Sequence, residues 1–241
     1  MDALLAEAFL PSPIPTLLRD SLPGPIDCSF LLYHYLGACL ATAPPPPLAL
    51  LASLHPASHH RAALRKALGP ARSDSVATVC AWEVQRRLGP QAAPEALAGA
   101  LLAAASGGSG AAPGLCLAVE DVQSLCEVAG GVAQGLAVLR ALAAAQPRGL
   151  LLRMAGACDW RLDAGGALLA PTLGGALEHW ARTVILARPL PSGFSREAHG
   201  RLELVRRSGG SGAGSGEGAP ALSALFKVSA DGSVADPSTA F

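Results

Sequence analysis

Glu120 and Asp121 stand side by side at the end of the apolar run LCLAVEDV, residues 115–122. Adjacent carboxylates at the end of a buried strand can hold Mg²⁺ through water or orient the water that attacks a phosphoryl group. They also have a local use, in which Asp121 caps a helix that begins at Val122. The Mg²⁺ chemistry needs a second part, a loop that cradles phosphate. The stretch TLLRDSLPGPIDCSFLLYHYL, residues 16–36, has the right order of strand, turn and buried helix. A phosphate loop uses glycine-turned backbone N–H groups, a lysine on the β/γ phosphates and a hydroxyl on Mg²⁺. SLPGPIDCSF supplies Gly24 and the Ser29 hydroxyl but no lysine. Pro23 and Pro25 remove two N–H donors, and Asp27 places negative charge where phosphate would lie. The junction therefore reads as a structural turn.

Glu120 and Asp121 are then a degenerate Walker-B-like position. The histidines, His34, His55, His59, His60, His179 and His199, are scattered. His59 and His60 fall at the start of a helix with Arg61, Arg65 and Lys66, and residues 55–73 contain no acid. That pattern is a solvated helix face, or a patch facing RNA or an acidic partner. Residues 182–207 hold Arg182, Arg188, Arg196, Arg201, Arg206 and Arg207 against Glu197 and Glu203. Six arginines against two glutamates leave a local charge of about +4, suited to phosphates or to guarding an edge strand. Ser195, in GFSRE, lacks the flanking glycines of a nucleophile elbow, and no Ser/His/Asp arrangement is evident. The six cysteines have no CxxC spacing and several sit in apolar runs. They read as buried thiols of a reducing compartment rather than a zinc site or disulfide framework. No catalytic residue, cofactor or metal ligand is assigned from these residues.

The elements that position these groups alternate. IPTLL (14–18) reads as a first strand, and SFLLYHYLGACLATA as a helix apolar nearly all round, with Asp27 or Ser29 as its cap and Pro44–Pro47 as its stop. LALLASL (48–54) is an apolar run of the length of a buried parallel strand. SHHRAALRKAL is an amphipathic helix ended by Gly69-Pro70. VATVCAW (76–82) is a strand, APEALAGALLAAA (93–105) a helix, SGGSGAAPG (106–114) a loop and LCLAVEDV a strand. A long helix is expected over about 123–145, with Gly130 and Gly131 allowing close packing or a kink. GLLLRMA (149–155) is a strand, TLGGALEHWA (172–181) a helix and RTVILARPL (182–190) a strand. GRLELVRR (200–207) and ALFKVSADG (224–232) alternate polar and apolar, as an antiparallel hairpin does.

This order predicts a three-layer α/β domain with a largely parallel sheet. It places the domain at 1–207, a Gly/Ser linker at 208–220, and a final strand of the same domain with a frayed tail at 221–241. Of the 241 residues 51% are hydrophobic, enough for a core, and Lys plus Arg equals Asp plus Glu at 18 each. A neutral chain argues against autonomous, non-specific nucleic-acid binding. The N-terminus has no basic region before its apolar residues, and no apolar run reaches spanning length, so an intracellular protein without a membrane segment is expected.

Four segments, in order, resemble the Elongator complex protein 6 family. GFSREAHGRLELVRR carries a similar Gly-Phe, then His-Gly and an alternating strand ending in basic residues. DCSFLLYHYLGACLA looks like the family's first helix, LFKVSADGSV like its final strand, and LCLAVEDV like its remnant of a magnesium-binding strand. The resemblance spans most of residues 15–235 and is sharp at 27–42 and 193–207. The Gly/Ser insert at 208–220, the prolines at 44–47 and the high alanine content depart from it. It implies a RecA-like fold without a functional P-loop and no catalysis by this chain. It implies assembly with Elongator subunits four and five into a hetero-hexameric ring that docks on the catalytic core and binds tRNA. The whole complex modifies the wobble uridine at C5, and the location implied is the cytoplasm and nucleus. Arg161, in the loop GACDWRLDAGGALLAPT (156–172), is the candidate RNA contact, with Arg206 and Arg207 of the basic segment 182–207 as further candidates. The rival readings are a divergent Mg-ATP hydrolase using Glu120 and Asp121, and an unrelated α/β adaptor.

Overall fold

A computed structural model describes residues 14–20, 28–108, 114–145, 147–154, 173–188, 190, 198–206, 222–228 and 234–235. The strands are β1 (Thr16–Asp20), β2 (Leu48–Ala52), β3 (Val76–Cys80), β4 (Cys116–Val119), β5 (Gly149–Met154), β6 (Thr183–Arg188), β7 (Gly200–Arg206), β8 (Leu222–Val228) and β9 (Val234–Ala235). The helices are α1 (Ser29–Leu40), α2 (Ala57–Leu68), α3 (Pro70–Ser73), α4 (Ala81–Leu88), α5 (Pro94–Ala105), α6 (Val122–Val128), α7 (Val132–Ala144) and α8 (Leu173–Trp180).

The strands form one sheet in the order β3-β2-β4-β5-β1-β6-β7-β8-β9. The pairs from β3 to β6 are parallel, and β7, β8 and β9 join antiparallel. A parallel sheet covered on both faces needs apolar residues at odd and even positions alike. Along β2, Ala49 and Leu51 enter one cluster with α5, α6 and α7, while Leu48 and Leu50 enter the opposite cluster with α1. Leu117 and Val119 of β4 join the first cluster, and Cys116 and Ala118 the second. Two cores around one sheet make the three layers.

Several boundaries differ from the sequence expectations. VATVCAW does not stay extended: the chain turns helical at Ala81, and α4 follows without a break. The long helix over 123–145 is two helices bent by 109°. Gly130 (φ 90°) and Gly131 (φ 138°) are the reason, because side chains rarely adopt that backbone. Gly135 then lets the halves meet, since a Cβ there would lie 2.3 Å from Cys126 Sγ. Ser29 is the first helical residue, with Cys28 at the cap position. The two alternating strands pair antiparallel with each other, as expected of a hairpin, and β7 also pairs with β6 over six residues, so the hairpin extends the sheet itself. Among the described residues no single helix is long and apolar enough to cross a membrane. The linker 208–220 lies outside them.

Candidate functional site

In an open parallel sheet the loops converge, and ligands bind, outside the carboxyl ends of the strands. At that end β2 continues into Ser53, Leu54 and His55, and β4 into Glu120 and Asp121. The two strands run parallel with Leu51 opposite Val119, so these exits are neighbours. Glu120 is 1% exposed. Its Oε2 accepts N–H bonds from Ser53 (2.9 Å), Leu54 (2.9 Å) and His55 (3.1 Å). Its Oε1 faces His55 Nδ1 and lies 2.9 Å from His60 Nε2. Burial alone pushes the Glu120 carboxyl up. The rings of His60 and His55 and the amides of Leu54 and His55 together outweigh it, and hold the group at about 2. Glu120 is therefore a fixed anion that knots the loop after β2 to the end of β4.

Asp121 is used just as locally. Its Oδ2 accepts from Ser124 N–H (2.9 Å) and from the Ser124 hydroxyl (2.7 Å), the geometry of a helix N-cap. The Ser53 hydroxyl donates to the Asp121 carbonyl (2.7 Å) and accepts the Asp121 N–H (3.2 Å). Trp82 covers the knot, its indole N–H donating to the Ser53 carbonyl (2.9 Å). Farther along the same rim, Arg153 of β5 reaches Asp20 of β1 (2.8 Å) and the Glu120 carbonyl (3.4 Å). Both members of that ion pair are buried.

His60 is the correction to the solvated-face reading of His59 and His60. It is 1% exposed, and its Nδ1 lies 3.1 Å from the Tyr33 hydroxyl. His60 Nε2 is close to Glu120 Oε1 but outside hydrogen-bond alignment with it. His59 remains on the outside, stacked on His55 with ring centroids 4.6 Å apart. Arg61, Arg65 and Lys66 are exposed, as expected of the rest of that face. One ligand atom each from His55, His60 and Glu120 lies within 4.8 Å of the other two. These residues are the site's metal-capable donors, and they come from three separate stretches of chain.

The other expected site residues are less connected. Arg161 and Arg207 lie outside the described residues, and Arg206 is the last residue of β7. The arginines of β6 and β7 do not guard an edge, because β8 and β9 lie beyond them. Glu203 pairs with Arg188 (2.8 Å) and also reaches Arg201 (2.5 Å), which neutralises part of the expected positive charge. The five described cysteines are thiols, four of them buried. Burial pushes Cys126 up to about 11, and the contact with the Cys116 thiol, with burial added, pushes Cys39 up, so neither is a ready nucleophile.

The whole structure is similar to that of a KaiC-like protein from the hyperthermophilic archaeon Pyrococcus horikoshii. The TM-score is 0.55 at 13% sequence identity, covering 94% of this chain and 90% of that one. The fold is RecA-like. The expected three-layer RecA-like domain, with a mostly parallel sheet and antiparallel C-terminal strands, agrees with this likeness. At 13% identity a shared RecA-like fold carries no activity with it. No protein-family model and no curated protein matches the sequence.

Proposed function

We propose that this chain is a non-catalytic structural subunit of the Elongator complex, of the Elongator complex protein 6 kind. In this reading it assembles with subunits four and five into a hetero-hexameric RecA-like ring. The ring docks on the catalytic core, binds tRNA and supports C5 modification of the wobble uridine, in the cytoplasm and nucleus. The observation that carries the non-catalytic half is the state of the β4 acids. Glu120 is enclosed by three backbone amides and two imidazoles, and Asp121 caps a helix. Neither presents the open, water-facing carboxylate that a Mg²⁺-nucleotide needs. The opening loop, SLPGPIDCSF, also has no lysine for the phosphates.

The assembly half rests on the four resembling segments and on the RecA-like fold. It also fits the exposed apolar residues Leu54 (53%) and Trp82 (50%) beside the Glu120 knot, which suit contact with a neighbouring subunit. Co-expression with Elongator subunits four and five, followed by native mass determination, tests it. The expected product contains two copies of each subunit. A monomer of this chain alongside the other two would remove the Elongator reading and leave the RecA-like fold without that assignment.

A further inference from the structure

We propose that His55, His60 and Glu120 form a binding site for one divalent transition-metal ion of the zinc class. Two imidazoles and one carboxylate are the donor types such ions select, whereas Mg²⁺ prefers an all-oxygen shell. The ligand atoms are Nδ1 of His55, Nε2 of His60 and Oε1 of Glu120. Each lies within 4.8 Å of the others. An ion with bonds of about 2.0–2.1 Å needs its donors roughly 3.3–3.5 Å apart. Glu120 Oε1 lies 2.9 Å from His60 Nε2 and 2.5 Å from His55 Nδ1, closer than two donors to one ion, so the half-exposed His55 ring turns outward to admit the metal.

The decisive feature is His60. Its Nε2 is buried, lies beside Glu120 Oε1, and has no aligned hydrogen-bond partner. Buried polar atoms rarely remain so. A metal ion between the two atoms gives that nitrogen a partner through its lone pair. The outer shell is in place as well. The Tyr33 hydroxyl sits 3.1 Å from His60 Nδ1, and in the ligating tautomer it would accept the Nδ1–H. Glu120 Oε2 takes the Ser53 and Leu54 amides, and the His55 amide is shared between Oε2 (3.1 Å) and Oε1 (3.2 Å), so Oε1 is the less committed oxygen and the ligating one. The side chain of His55 is 44% exposed and opens the site to solvent. Three protein ligands with one open side leave a fourth position for water or for a group from a partner. The ion would lock the start of α2 to the end of β4.

The test uses the full chain, stripped with a chelator and titrated with Zn²⁺ by calorimetry and with Co²⁺ by visible absorption. One equivalent should bind in the micromolar range or tighter, with the bands of a four-coordinate nitrogen/oxygen site. His55→Ala, on the solvent side, and His60→Phe should each weaken binding by at least about 100-fold, and Tyr33→Phe by about 10-fold or more. His179→Ala, on α8, should change nothing. Should His60→Phe fail to fold, His55→Ala decides alone. No saturable binding by the wild type overturns the proposal, as does binding retained in His55→Ala or cobalt bands from thiolate ligation. The titration needs no other subunit, so its outcome is separate from that of the assembly experiment.

Discussion

The exit of β4 and the β6–β7 pair both carry charged residues near the carboxyl half of the sheet, and they use them in opposite ways. At the β4 exit, Glu120 is buried and its carboxylate accepts from three backbone amides. At β6–β7, Arg188 and Arg201 share Glu203, and the arginine side chains are 49% and 42% exposed while that of Glu203 is 17% exposed. Removing a charge from water makes its partners indispensable, whereas a pair left in water is replaced by hydration at little cost. On the proposed reading the same commitment bears on function, because Glu120 serves the loop after β2 rather than a Mg²⁺-nucleotide.

Substitutions should separate the two regions by size. Glu120→Gln puts an NH₂ where donors converge and removes the anion. A loss of about 3 kcal/mol is expected by urea unfolding, the magnitude of breaking a buried charged network. The same group sets an acid limit. Its folded value, about 2, lies below the ordinary 4.5, so its contribution is complete above about pH 4.5 and fades as pH falls towards 2. By linkage this amounts to about 3 kcal/mol, and Glu120→Gln should flatten that part of the stability–pH curve. The β6–β7 region should fail through packing instead. A Cβ on Gly200 would stand 2.7 Å from the Phe226 ring and 2.8 Å from the Arg188 carbonyl. Gly200→Ala should therefore cost about 1–3 kcal/mol in the same assay. Trp82→Phe keeps an aromatic cover over the knot but loses the bond to the Ser53 carbonyl, for about 1 kcal/mol. Arg188→Ala should change stability by less than about 0.5 kcal/mol. A loss there as large as that of Glu120→Gln would erase the distinction between the regions.

Much of the architecture was legible, because buried parallel strands are continuous apolar runs and β2, β4 and β5 stand out as such. The turn into α4 was not, because VATVC passes into AW with no proline, glycine or cap to mark the change. Asp121 was legible as a cap from its place before Val122. The Glu120 knot was not, for a physical reason. His55 and His60 lie 65 and 60 residues before Glu120, and only the parallel pairing of β2 with β4 brings them together. Arginine inside the apolar run GLLLRMA was an available signal for the rim, since a buried Arg153 requires an acid, and Asp20 supplies it.

The central claim is that the β4 acids hold the fold together rather than serve a nucleotide. Calorimetric titration of the full chain with Mg·ATP up to millimolar concentration tests it most directly. No saturable binding is expected; binding that saturates in that range would overturn this reading and place Glu120 and Asp121 at a working nucleotide site.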